Sequence, residues 1–335
     1  MTTQEQLSSI RVGLVAIGRN EGERLVRCLR SVAQLAETVV YVDSGSTDGS
    51  VDAARKMGVN VVELDLSVPF TAARARNAGF KQLLALNPEI EFVQFVDGDC
   101  EIAEGWIKSA TQVLAGQADC AVVCGRRRER FPEQSIYNLL CDIEWDTPVG
   151  EAKACGGDAM MRVSAFKRVN GFNPSLIAGE EPELCVRLRR EGWKILRVDA
   201  EMTLHDAKML RFGQWWKRSQ RAGHAFAEGA WLHGRPPERH WVRETISTLV
   251  WGLVLPLVAL GLAPLSQGFS LLLLLIYPIL AVRVFSNVSK NLSLRDAALY
   301  AIFCVVGKFS QVSGVLQFYW RRLMGKQSLL IEYKG

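Results

Sequence analysis

What this chain lacks narrows its chemistry first. None of its eight cysteines (28, 100, 120, 124, 141, 155, 185 and 304) forms a Cys-x-x-Cys pair, which argues against a zinc ribbon or a thioredoxin-type site. Thiols scattered this widely fit a reducing compartment. No Gly-x-x-x-x-Gly-Lys-Ser/Thr occurs, so a P-loop is excluded. The turn Gly18-Arg-Asn-Glu-Gly22 lacks the Gly-x-Gly-x-x-Gly spacing that seats a pyrophosphate on a helix, which disfavours a dinucleotide fold. Met1 to Ser9 have no basic segment, and no apolar run follows them, so no secretory signal is expected. The catalytic part is expected in the cytosol. Charge is also scarce: 22% of residues, with a net +5. That balance favours anionic partners such as phosphates or lipid head groups and does not call for nucleic acid.

What is present is uneven. The 335 residues are 49% hydrophobic, enough for one large domain or two ordinary ones, but long apolar blocks begin only at Ile246. Before that point short apolar runs alternate with helical spacing. Strands are predicted at 11–17, 38–42, 59–64 and 92–96, and helices at 23–35, 50–57 and 72–86. This alternation implies a mostly parallel open α/β sheet with flanking helices, whose ligands bind beyond the carboxyl ends of the strands. Three predicted strands end in polar residues: Asn20 and Glu21, then Asp43, then Asp97 and Asp99. In Asp97-Gly98-Asp99 the two carboxylates can face one point. They read either as a polar turn or as hard ligands for Mg²⁺ or Mn²⁺ shared with phosphate oxygens. Asp48 can cap the helix that follows it.

In order, Val15-Ala-Ile-Gly-Arg-Asn20-Glu21, Val42-Asp43-Ser-Gly-Ser-Thr-Asp48-Gly49, Ala75-Arg76-Asn77-Ala-Gly79 and Asp97-Gly-Asp99 resemble the motifs of family 2 glycosyltransferases with the GT-A fold. The resemblance runs to about Asp206. It implies a nucleotide-sugar site made by Asn20, Glu21, Asp43, Asp48, Arg76 and Asp97, and a divalent metal on Asp97, Asp99 and His205. Glu180-Glu181-Pro-Glu183-Leu184 resembles the family's Glu-Asp-x-Asp-Leu motif. By that likeness Glu181 is the general base, with glutamate in place of aspartate, so Glu180 stays open as the alternative. Read by composition alone, the same acids are helix-start chemistry. The basic run Gly125-Arg-Arg-Arg-Glu-Arg130 reads as a solvated loop. Cys155 to Arg162 reads as a strand entered through glycines, and 195–198 as a last strand.

The expected domains are a catalytic unit at 1–208, a basic and aromatic amphipathic segment at 209–244, a hydrophobic region at 245–320 and a basic cytosolic tail at 321–335. Met209 to Ala230 suits a membrane surface, with Arg218 and Arg221 as further candidates for a diphosphate. Segments 246–265 and 269–285 read as a hairpin flanked by basic residues, with both ends cytosolic. Buried core helices are the alternative. Segment 297–318, interrupted by Lys308, reads as interfacial or re-entrant. The resemblance and the apolar tail together imply transfer of a sugar, with inversion, from a nucleoside-diphosphate donor (UDP-sugar favoured). The acceptor would be a polyprenyl-diphosphate-linked saccharide at the inner membrane. Rival readings are a sugar nucleotidyltransferase, for which Gly18-Arg-Asn-Glu is a poor triphosphate loop, and a non-catalytic membrane scaffold.

Overall fold

The computed structural model describes residues 10–33, 35–326 and 331–332. The polar start at residues 1–9 and tail residues 327–330 and 333–335 lie outside the described residues. The chain divides into two compact units, Met1–Lys208 and Met209–Gly335.

The first unit is built on a nine-stranded sheet with β1 (Val12–Gly18), β2 (Thr38–Asp43), β3 (Asn60–Glu63), β4 (Phe92–Asp97), β5 (Cys100–Ile102), β6 (Cys120–Glu129), β7 (Gly150–Glu151), β8 (Ala159–Arg162) and β9 (Lys194–His205). The order is β3-β2-β1-β4-β8-β6-β9-β5, with β7 on β9. The first four strands are parallel, β8 is antiparallel to both neighbours, and β6 and β9 are parallel. β1 and β4 are mostly apolar and buried because helices cover both faces of the sheet, with Gln94 and the terminal Asp97 as the polar exceptions in β4. Those helices are α1 (Glu23–Val32), α2 (Ser50–Lys56), α3 (Ala72–Leu86), α4 (Trp106–Gly116), α5 (Ile136–Trp145), α6 (Val163–Arg168) and α7 (Glu180–Arg190). α3 sits close on the sheet at Gly79, where a β-carbon would overlap Val15 and Val42. The chain leaves β1 in one direction for β2 and in the other for β4. Their carboxyl ends therefore flank the crevice where an open α/β sheet takes ligands.

Two expectations change here. Arg126, Arg127 and Arg128 are not loop but the second half of β6, and His205 closes a twelve-residue β9 rather than following a short strand. The cause is tertiary. Arg126 and Arg128 are neutralised by Asp142 from α5, and Arg128 also meets Glu201 of β9, so a run that repels itself in isolation is paired in the fold.

The second unit holds α8 (Phe212–His233), α9 (Val242–Leu249), α10 (Leu255–Gly261), α11 (Ile276–Val288) and α12 (Leu294–Leu323). Three continuous helical stretches, Val242–Gly261, Phe269–Val288 and Leu294–Leu323, are long and apolar enough to cross a membrane. The expected interfacial or re-entrant piece at 297–318 lies inside one unbroken 30-residue helix, α12. Trp215 is buried, edge-on to Phe303 of α12 at 4.8 Å. Gly223 of α8 faces the Gln311 carbonyl, and Gly314 of α12 faces the Gln220 carbonyl, so the two backbones touch where a side chain would separate them. Small residues at such crossings are the packing device of membrane helices.

Candidate active site

Four loops and strand ends converge on the crevice. After β1, Asn20 adopts a positive φ of 56°. Its side-chain oxygen accepts from Thr47 N–H at 2.7 Å, and its own N–H donates to Ser46 Oγ at 2.8 Å. The loops after β1 and β2 are thus stitched together. Glu21 pairs with Arg24 at 2.7 Å. Asp43, buried at the end of β2, shapes the next turn: Tyr41 Oη donates to its Oδ1, and Gly45 and Ser46 N–H donate to its Oδ2. Burial first, and the Asp43 charge second, push the Tyr41 phenol well above its ordinary value. Asp48 does not cap through the N-cap position, which is Gly49, but its Oδ1 accepts from Ser50 Oγ and N–H.

Arg76 is the hub. It projects from α3 and is 2% exposed. Its Nη1 lies 3.0 Å from Glu180 Oε1 and 2.9 Å from Glu181 Oε1, and its Nη2 lies 2.8 Å from Asp97 Oδ1. This guanidinium is engaged by three carboxylates. Burial alone would lower its pKa, but Glu181, Asp97 and Glu180 hold it above the usual arginine value. Asn77, next to it, grips the backbone of Phe172 from both sides, N–H to Oδ1 at 3.0 Å and Nδ2 to carbonyl at 2.8 Å. Arg-Asn thus ties α3 to the acidic start of α7 and to the loop before it. Gly157 completes the cradle, since a β-carbon there would come within 2.5 Å of Arg76 Nη2 and 2.9 Å of Asp97 Oδ2.

Glu181 is the more accessible of the two helix-start acids, at 14% side-chain exposure against 4% for Glu180. Burial, then the Glu180 charge, push its pKa up to about 7, with Arg76 opposing. Glu183 has a separate task, a fork to Arg187 one turn on.

The Asp-x-Asp pair divides its work. Asp97 faces Arg76 on one oxygen and Arg127 on the other, at 3.4 Å. Asp99 is buried and its Oδ2 lies 3.2 Å from His205 Nε2. Sheet register makes this meeting: His205 of β9 is opposite Cys100 of β5 and Glu129 of β6. Donor atoms of Asp99, Cys100 and His205 lie within 4.8 Å of one another, as do those of Asp97, Cys100 and Asp158. Burial raises the Cys100 thiol, with Asp158 adding to it, so the oxygen and imidazole donors are the ligands to expect for a hard ion. The donor set fits a divalent cation. Asp97, Asp158, Glu180 and Glu181 pair with Arg76 or Arg127, and Asp99 with His205.

Three residues of the site escaped the sequence reading. Arg127 binds fully buried Asp158 at 2.7 Å, and Asp158 in turn accepts from Asp97 N–H and Thr203 Oγ. The signal was faint: Arg127 continues the apolar strand from Cys120, and Asp158 follows two glycines. Glu129 is the third. Its Oε2 lies 3.5 Å from His205 Nδ1 and accepts Ala207 N–H, while Oε1 takes Asn138 and Phe131. A carboxylate behind a metal-bound imidazole orients the ring, and Glu129 would do so for a ligating His205. Glu129→Gln should weaken Mn²⁺ binding, measured by calorimetry, about 10–100-fold. Unchanged affinity would show that Glu129 serves the fold alone. Arg218 and Arg221 lie on α8, in the second unit.

Residues 15–169 match the family described as Glycosyl transferase family 2, and residues 141–211 match one described as N-terminal domain of galactosyltransferase. The chain is 25% identical over 189 residues to the succinoglycan biosynthesis protein ExoA of Rhizobium meliloti, covering 53% of this chain and 56% of that protein. It is 21% identical over 248 residues to the glycosyltransferase AglE of Haloferax volcanii, covering 70% of this chain and 77% of the other. The chain thus aligns with little more than half the length of the first relative. The mannosyltransferase PcManGT of Pyrobaculum calidifontis, solved with GDP-Man and Mn²⁺, superposes with a TM-score of 0.63 at 18% identity over 93% of this chain and 88% of that one. Glucosyl-3-phosphoglycerate synthase of Mycobacterium tuberculosis, with Mn²⁺, UDP-glucose and phosphoglyceric acid, gives 0.51 at 17% identity over 70% and 85%. Both have the GT-A fold in common with the first unit.

Proposed function

We propose that this chain is a family 2 glycosyltransferase that moves a sugar from a nucleoside-diphosphate donor to a hydroxyl of a lipid-linked saccharide. The observation that carries the reading is the sharing of Arg76 between Glu181 and Asp97, which sets an acid of raised pKa beside the Asp-x-Asp turn. Glu181 takes the acceptor proton as the hydroxyl oxygen bonds to the anomeric carbon and the bond to the diphosphate breaks, with inversion. Glu180 and Arg76 hold it in place. Asp99 and His205 would hold Mg²⁺ or Mn²⁺, which when bound supplies positive charge opposite the leaving diphosphate. Asn20, Glu21, Asp43 and Asp48 border the nucleotide, with a UDP-sugar favoured, and Arg218 and Arg221 are assigned to a diphosphate.

Three apolar helices associate the chain with a membrane. Basic residues before the first and after the second favour an inner-membrane enzyme whose first unit faces the cytosol. Relatives named for succinoglycan biosynthesis and glycosyl transfer favour envelope or exopolysaccharide assembly.

The test is release of nucleoside diphosphate by the full chain in nanodiscs, with UDP-, GDP- and TDP-sugars, Mn²⁺ and a lipid extract. One donor should turn over, and chelation of the metal or Asp99→Ala should abolish release. Pyrophosphate release would point instead to a nucleotidyltransferase. Equal activity in Asp99→Ala would remove the metal assignment.

A further inference from the structure

The second unit carries a cavity of about 430 Å³ that no part of the transfer chemistry uses. It is lined by Arg239, Val242, Arg243, Ile246, Ser247, Val250 and Trp251. From Val242 on these residues recur at three- and four-residue steps and make one face of α9, where the first candidate span begins, and Arg239 lies in the turn just before that helix. The face is graded. Arg239 and Arg243 stand at one end, both exposed, and among the described residues neither side chain has an acidic or carbonyl partner. Ile246 and Val250, 56% and 40% exposed, continue it with apolar surface. The helix widens to a π-turn at Val250–Val254, and Tyr277 donates its hydroxyl to the Trp251 carbonyl there. Such π-turns often mark functional sites, and here one sets the far wall.

Two guanidiniums lining one cavity, one from the turn before α9 and one from its first turn, above an apolar groove, complement a ligand with two adjacent negative groups on a hydrocarbon chain. A phospholipid's single phosphodiester would satisfy one of them. We propose that this cavity binds the diphosphate and first isoprene units of a polyprenyl-diphosphate lipid, anchoring the acceptor by its carrier. The proposal rests on the lipid-linked acceptor reading above and names where the carrier is held. Arg239 and Arg243 take the two phosphates in charge-assisted hydrogen bonds, and Ile246, Val250 and Trp251 line the chain.

The test uses the full chain in phosphatidylcholine nanodiscs with a photoreactive polyprenyl diphosphate as probe. Cross-linking should map by mass spectrometry to residues 239–251. The double variant Arg239→Gln/Arg243→Gln should lose the label about tenfold or more, as expected for two lost charge-assisted bonds. Ile246→Trp, which fills the groove and keeps both arginines, should lose it too, and melting temperatures of all three proteins should agree. In turnover assays the double variant should raise the KM for a lipid-linked acceptor about tenfold while the donor KM stays fixed. Label mapping elsewhere, or removed equally by excess phosphatidylglycerol, would overturn the proposal. Cross-linking needs no turnover. A wild type that transfers to no lipid acceptor would sink the functional reading separately from the site.

Discussion

Replacing Glu181 by glutamine should lower kcat about 10²–10⁴-fold, the span that positioned proton transfer contributes, with the donor KM little changed. Glutamine keeps the length and can still accept from Arg76 Nη1 through its carbonyl oxygen, now 2.9 Å away in the wild type. It cannot take a proton. The pH profile supplies an independent check. A base works only when ionised, and burial, then Glu180, raise Glu181 to about 7. Below that value the carboxyl is protonated, so kcat/KM should fall about tenfold per pH unit on the acid side and level off above it. A bound cation moves this limb to lower pH, because nearby positive charge favours the carboxylate. Glu180→Gln removes the largest repelling charge and should move the limb the same way while activity survives. Loss of activity in Glu180→Gln, with Glu181→Gln retaining it within about threefold, would hand the role of base to Glu180.

These expectations draw on parts of the molecule that differ in how well the sequence discloses them. Local periodicity disclosed the first half of the sheet. α3 spans Ala72–Leu86 as its spacing predicts, and the strand before Asp97 ends at the turn it was expected to enter. There each element carries its own pattern: β-branched runs for strands, apolar residues at helical steps, and a polar residue at each strand end. The second half was less legible because its pattern is set by partners far along the chain. Asp199 to His205 alternate polar and apolar residues, a strand signal that the expected strand at 195–198 stops short of, and they pair with β5 and β6. Arg127 looks solvated until Asp158, from the loop before β8, is beside it. The site shows the same split. Asp99 and His205 were expected together and meet. Glu129 was not foreseen, since nothing local says that an acid inside a basic run will lie behind a histidine from a strand that follows much later.

Arg76→Met should be the most destabilising single change in the first unit that alters no apolar core residue. It deletes the one cation that touches Glu180, Glu181 and Asp97 together, and leaves three acids facing one another in a largely buried cradle. Removing one partner from a buried ion pair costs about 3–5 kcal/mol, because the remaining charge is neither solvated nor paired. For a unit of this size that is a fall in melting temperature on the order of 10 °C. The loss should depend on pH with a defined sign. Without Arg76, Glu181 rises further above about 7, since the first opposing influence on it is gone. A carboxyl raised in the folded state stabilises below its unfolded pKa, near about 4.3, and loses that contribution as pH climbs through the folded value. The deficit of Arg76→Met against wild type should therefore be smaller near pH 5, where Glu181 is protonated, than near about pH 9, with the loss of the Asp97 and Glu180 pairs contributing at both. Arg76→Lys should recover only part of it, because a single ammonium cannot serve three carboxylates in the fixed fork that a guanidinium offers. A deficit equal at both pH values, followed by melting of the full chain in detergent, would mean that Arg76 acts by filling space against Phe172, whose ring lies 5.5 Å from its guanidinium carbon, and not by charge.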